Sequence, residues 1–239
     1  MTSESLIKSD ERVKALGEVF TPEPIVNFML DQPEIQAKIE DLTATFLEPA
    51  AGEGAFLTEL LRRKMAVAEK QSGSVEAFED NSLVALSTLY GVEIMEDNVE
   101  MLVMNLYYTF AETYREGLKP YHKPLNPNVL KSARTIIQAN MLQGDTLKKQ
   151  DADGRPLIFS EWRLIPKKNP DSRQKVAREE YTFEEILAGK TESAGKLTPD
   201  EGGRQVDMFA MLAGAPEPKE KPKRYAVVPI TDVWQKKIV

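Results

Sequence analysis

Cysteine is absent from this chain, and histidine is present once, as His122. That excludes a disulfide framework, a thiol nucleophile and any cysteine-based zinc site, and it leaves too few nitrogen ligands for a zinc enzyme. Long apolar runs are missing as well: no stretch approaches the roughly 20 residues that a membrane-spanning helix needs. The opening Met-Thr-Ser-Glu-Ser lacks the basic and apolar regions of a secretory signal. The expectation is a soluble, cytoplasmic protein with neither membrane nor metal among its partners. Positive charge is also in short supply, with 31 Lys and Arg against 38 Asp and Glu and a net charge of -7. A small module that grips nucleic acid by charge alone would be basic, although one basic cleft on an acidic molecule suffices for DNA. Local excess occurs between Trp162 and Arg178, where Arg163, Lys167, Lys168, Arg173, Lys175 and Arg178 face only Asp171. Such a run is either a solvated loop or helix face, or an arm that contacts phosphates.

What is present is enough apolar material, 41% of 239 residues, for one sizeable core and a small appendage. Residues 1–16 read as a polar helical lead-in. Thr21-Pro-Glu-Pro then opens a helix, with Thr21 at the N-cap and Pro22 in the first helical position. Gln32-Pro33 ends it, and a short helix over Glu34–Glu40 follows. Thr43–Leu47 is an apolar, β-prone run that reads as a buried strand. The turn Glu48-Pro-Ala-Ala-Gly-Glu-Gly54 leads into a helix from Ala55 towards Lys70. After a looser polar stretch, Gln71–Asn81, and a further helical pattern, Thr88–Ile94 reads as a second strand. A long amphipathic helix is expected from Glu96 to Glu116, its apolar positions recurring at three- and four-residue steps. A proline-rich loop then separates it from Thr135–Asn140, taken as a third strand. Alternating strands and helices indicate an α/β fold with a parallel sheet.

After residue 150 the periodicity weakens. Leu157–Trp162 suits a strand, Phe183–Leu187 a helical turn, and Arg224–Ile230 a final strand. Residues 188–222, rich in Gly, Pro, Glu and Lys, read as a linker interrupted by the apolar segment Val206–Leu212, a candidate docking helix.

A strand that passes through a glycine turn into a helix commonly holds a nucleotide-like ligand. Glycine lets the backbone approach, and the helix N-terminus offers unpaired N–H groups. A Gly-x-Gly alone is equally a structural turn. Glu93, at the tip of the second strand, stands where a ribose diol would meet a carboxylate, or is a surface residue at a strand end.

Four blocks, in order, resemble the N6-adenine DNA methyltransferases of bacterial restriction-modification systems. They are Gly17–Pro22, Leu47–Leu57 with its Glu-Pro-Ala-Ala-Gly-Glu-Gly-Ala-Phe-Leu, Tyr90–Ile94, and Asn140–Leu147 with Gly-Asp-Thr-Leu. The resemblance covers roughly residues 15–150. It implies a Rossmann-like, S-adenosylmethionine-dependent methyltransferase core at residues 1–150, incomplete, with a polar C-terminal extension over 151–239. Carried over by position, Phe20, Thr21 and Pro22 would flank the methionine, and Glu48 would meet its amino group. Pro49 belongs to the same block, and the backbone at Ala50, Gly52 and Gly54 would hold the carboxylate. Glu93 would take the ribose hydroxyls, Ile94 would pack on the adenine, and Asp145 would accept from its N6.

The family acts on a flipped-out base with an Asn/Asp/Ser-Pro-Pro-aromatic tetrapeptide. This chain has no Pro-Pro dipeptide, and Asn169-Pro170-Asp171 supplies the single candidate on the expected side of the third strand. Three readings follow. One is an adenine-specific methyltransferase, or a subunit of one completed by a second methyltransferase or specificity chain, from a restriction-modification or phage-related system. A second is a cofactor-binding but catalytically silent subunit or regulator. The last is an interaction protein that keeps the scaffold. The first two imply DNA as a partner.

Overall fold

A computed structural model describes residues 21–191 and 223–239, and shows a mixed α/β architecture. Phe20 and Gly17–Val19, most of the expected linker and the Val206–Leu212 segment lie outside the described residues. The elements, in order, are α1 (Glu23–Leu30), α2 (Pro33–Glu40), β1 (Phe46–Glu48), α3 (Ala55–Lys70), α4 (Val75–Ser87), β2 (Leu89–Glu93), α5 (Glu96–Gly117) and a 3-10 turn, η1 (Lys119–Tyr121). Then come α6 (Pro127–Asn140), β3 (Met141–Gln143), β4 (Ile158–Ile165), β5 (Lys175–Thr182), α7 (Phe183–Leu187), β6 (Val228–Pro229) and η2 (Ile230–Gln235).

β1, β2 and β3 form a three-stranded parallel sheet with β2 in the centre. Alternation along the strands sends Leu89 and Met141 into the main apolar cluster with the helices, while Val92 packs on the other face with Leu157, Phe159 and Phe183. That second face is closed by a separate antiparallel unit. β4 and β5 pair from Ile158↔Thr182 to Ile165↔Lys175, and β5 pairs with β6 at Val176↔Val228. The two units are stitched by buried polar groups. Tyr90 donates its hydroxyl to the Ser160 carbonyl at 2.7 Å. Asn140 donates to the carbonyls of Ser87 and Leu89 and accepts from the Trp162 indole N–H at 2.8 Å. Ile230 and Val233 of η2 enter the same apolar cluster as the helices, so the C-terminal end helps build the core.

Several expectations shift. Thr135–Asn140 is the end of a helix and not a strand; the third strand is Met141–Gln143. Asn126 caps α6 by accepting from the Asn128 N–H, Pro127 occupies its first turn, and Val129, Ala133, Ile136 and Ile137 bury one helical face. The helical repeat overrides the β-branched composition. Thr21 is not the N-cap of α1; Pro22 is, with no side-chain cap bond. The polar stretch Gln71–Asn81 is largely α4, started by Ser74, whose hydroxyl accepts from the Ala77 N–H.

The basic run Trp162–Arg178 is the end of β4, an exposed turn and the start of β5, so it includes a solvated loop over residues 166–172 but neither a helix face nor a free arm. Arg173 pairs with Glu79 and, at 3.3 Å, with Asp80; Lys167 lies 3.6 Å from Asp80. Arg178 is buried between the rings of Trp162 and Tyr225.

Candidate functional site

The C-terminal ends of the three parallel strands are tied into one rim. The Ala51 N–H donates to the Val92 carbonyl and the Gly144 N–H to the Glu93 carbonyl, both at 2.9 Å. Thr146 donates its hydroxyl to the Pro49 carbonyl at 2.7 Å. In an open α/β sheet this rim is where ligands bind. Here it carries two clefts, one on each side of the β2 tip.

The larger cleft, about 980 Å³, is framed by Thr21, Pro22, Glu23 and Val26, by the Glu48–Ala55 turn, by Phe56, Thr58, Glu59 and Arg62 of α3, and by Asn105, Tyr108, Thr109 and Glu112 of α5. Two glycines shape the turn. Gly52 has φ +52 and open space where a Cβ would stand; Gly54 has φ +88, and a Cβ there would lie 2.5 Å from Leu102 Cδ1. Both therefore need glycine, for backbone conformation and, at Gly54, for room. α3 starts directly after Gly54 with no described side chain capping its first turn, so its leading N–H groups and positive dipole end belong to the cleft wall.

Glu48 lies across from that helix start. Its Oε2 is buried and has no hydrogen-bond partner among the described residues. Burial, reinforced by the nearby Glu93 carboxylate, pushes its carboxyl up to about 8. Among the described residues lining the cleft, Glu23, Glu48, Glu53, Glu59 and Glu112 face a single cation, Arg62, which itself sits 3.5 Å from Glu59. This rim therefore suits a cationic group and repels phosphate.

Glu93 is 7% exposed and lines neither cleft. Its Oε2 accepts from the Gly52 N–H at 2.8 Å and its Oε1 from the Met95 N–H at 2.9 Å. Beyond it, Ile94, 47% exposed, and Asp145 line the second cleft, about 180 Å³, with Gly144, Lys148 and Gln150. Asp145 accepts from the N–H groups of Leu147 and Lys148 and pairs with the Lys148 ammonium at 3.1 Å; Lys148 thereby holds its carboxyl below the usual range.

So Thr21, Pro22, Glu48, Ala50 and Gly52 share one cleft, and Ile94 and Asp145 the adjoining one. Pro49 is exposed on the rim, and Gly54 and Glu93 support it from beneath. Asn169 is elsewhere. Its side chain accepts from the Asp171 N–H and its carbonyl from Ser172, closing the β4–β5 turn. Arg173, next to that turn, donates to the Glu76 carbonyl, beyond the C-terminal end of α3, whereas the glycine turn sits at the N-terminal end, about 24 Å away along that helix. The wall contributed by Asn105, Tyr108 and Glu112 was not anticipated from sequence. The signal available was their spacing on the polar side of α5, with Tyr108 a 64% exposed aromatic.

Among the described residues no cluster of three or more His, Asp or Glu is placed to hold a metal, and no helix is long and apolar enough to cross a membrane. Against protein-family models, curated proteins and solved structures, the chain finds no match.

Proposed function

We propose that this chain binds S-adenosylmethionine at the strand rim and serves as the cofactor-binding part of an adenine-N6 DNA methyltransferase. One observation carries the reading: Glu48, with a buried carboxyl oxygen that has no hydrogen-bond partner among the described residues, shares a cleft with the start of α3, which no described side chain caps. A carboxyl that ionises when a cation joins it, and the positive end of a helix lining the same cleft, match the ammonium and carboxylate of an α-amino acid. Glu48 would hold the ammonium, the first turn of α3 and the Gly52 backbone the carboxylate, and Thr21 and Pro22 would close over the chain between them. The adjoining cleft at Ile94 and Asp145 supplies an apolar wall and an acceptor for an adenine ring. The bound cofactor would bring an electrophilic sulfonium methyl; these residues bind and orient it.

DNA is the proposed partner of the assembled enzyme, but the acidic rim is unsuited to contact its phosphates. A second reading, a cofactor-binding subunit that is catalytically silent alone, is favoured by the position of Asn169. The test is calorimetric titration of the chain with S-adenosylmethionine, followed by transfer of a labelled methyl to DNA. Micromolar binding that Glu48→Gln weakens supports the site. Absence of binding by the wild type defeats it. Binding without transfer selects the silent subunit.

A further inference from the structure

One densely bonded side chain at the rim lines neither cleft. Glu93 uses both carboxylate oxygens on backbone N–H groups, Gly52 from the first turn and Met95 from its own strand end, and Asn98 Nδ2 lies 3.5 Å from Oε1. Its backbone carbonyl meanwhile holds Gly144 of the third turn. Gly52 sits at φ +52, and a Cβ there would meet nothing within 4 Å. Backbone and side-chain bonds at Ala51, Pro49 and Glu53 hold the turn on either side, and the Glu93 carboxylate is the contact on the Gly52 amide itself; charge-assisted bonds of this kind are the strong ones.

We infer that Glu93 is a positioning residue, acting on the ligand through the Gly52 turn and not by direct contact with ribose hydroxyls. This rests on the proposed cofactor site. It gives Glu93 a different task from the diol contact that its place at the strand tip suggests. One side chain then holds the glycine turn against β2, while its own carbonyl holds the β3 turn, so that the walls of both clefts keep a common register. Glutamine at this position offers a single acceptor where two are required and turns an amide N–H₂ towards one backbone N–H.

The test pairs a change in the protein with a change in the ligand. Wild type, Glu93→Gln and Glu93→Asp are titrated with S-adenosylmethionine and with its 2′,3′-dideoxyribose analogue. If Glu93 positions the turn, each variant weakens both ligands by the same factor, about tenfold or more. Loss confined to the hydroxylated ligand, with the dideoxy analogue unaffected, would overturn the inference. A second arm needs no ligand. Hydrogen exchange of the Gly52 amide should be slow in wild type and accelerated about tenfold or more in Glu93→Gln, with the amides of the α6 interior unchanged. Fast exchange at Gly52 in the wild type overturns the inference as well. If wild type binds neither ligand, the cofactor reading fails, and the exchange arm still decides the role of Glu93.

Discussion

The two sheets of this molecule are built on opposite principles. In the parallel unit the strands are three to five residues long, and their inward positions, such as Leu89, Val92 and Met141, are buried in apolar clusters on the two faces. The antiparallel unit has two eight-residue strands and a two-residue edge, and its central strand is full of charge: β5 reads Lys-Val-Ala-Arg-Glu-Glu-Tyr-Thr. Its charges are answered across the ladder and by the chain end. Arg178 lies 3.3 Å from Glu180, Tyr225 donates to Glu180, and Arg163 approaches Glu179 at 4.0 Å. A parallel strand buried on both faces, as β2 is, must be apolar, and so announces itself in sequence. A charged antiparallel strand is stable only with its partners in place, and no window of its own residues reveals it. The difference extends to function: the first unit presents clefts at its rim, and the second, fastened through Arg173 to Glu79 and Asp80, braces it.

Substitutions can separate the two units, beginning with the largest effect. Gly52→Val forces a β-branched residue into φ +52 and a side chain into the larger cleft, and should weaken cofactor binding by more than about 100-fold. Calorimetry reads the loss, and circular dichroism should show the fold retained. Arg173→Ala leaves the buried Glu79 and Asp80 carboxylates without their main cation. Urea denaturation should register a loss of about 2–4 kcal/mol, with ligand affinity little altered. If affinity collapses as well, the brace and the rim are not separable.

Glu48 gives a pH-dependent test. Its folded carboxyl titrates near 8, above the ordinary 4.5, so the native state keeps a proton that the unfolded chain has already lost. Stability from this group is thus full below about pH 4.5 and declines as pH rises towards 8. Glu48→Gln removes that titration. Relative to wild type it should gain about 2 kcal/mol between pH 5 and pH 8, after allowance for partial exposure. Parallel melting curves that keep a constant offset would count against the assignment. Binding of an ammonium to wild type at pH 7 should release about one proton, seen as a buffer-dependent enthalpy that vanishes in the variant. The smallest effect belongs to Asn169→Ala, which alters a turn remote from the rim. Cofactor affinity should change less than about twofold; a tenfold loss would bring the antiparallel unit into the site.

Much of the rim was legible because its chemistry is local. Gly52 and Gly54 are needed for backbone angles that other residues avoid, and the strand–turn–helix around them is contiguous in sequence. Helix α3 runs from Ala55 to Lys70 as its pattern implies. The strand at Leu157–Trp162 and the turn at Phe183–Leu187 were also visible in outline. The Thr135–Asn140 segment misled because Thr-Ile-Ile favours strands locally, while the Asn126-Pro127 start and the four-residue spacing decide for a helix. The β5 strand was hidden by its charges.

Sequence by itself determined where the first two parallel strands, the glycine turn and the helices Ala55–Lys70 and Glu96–Gly117 lie, since each is specified by neighbouring residues and a short repeat. Only the tertiary structure decided what the charged groups do. It sent Arg173 and Arg178 inward, moved Asn169 to a distant turn, left one Glu48 oxygen without a partner among the described residues, and joined Glu93 to Gly52 across 41 positions of chain. The worth of a charge depends on its burial and its partners, and both are set by segments far apart in sequence.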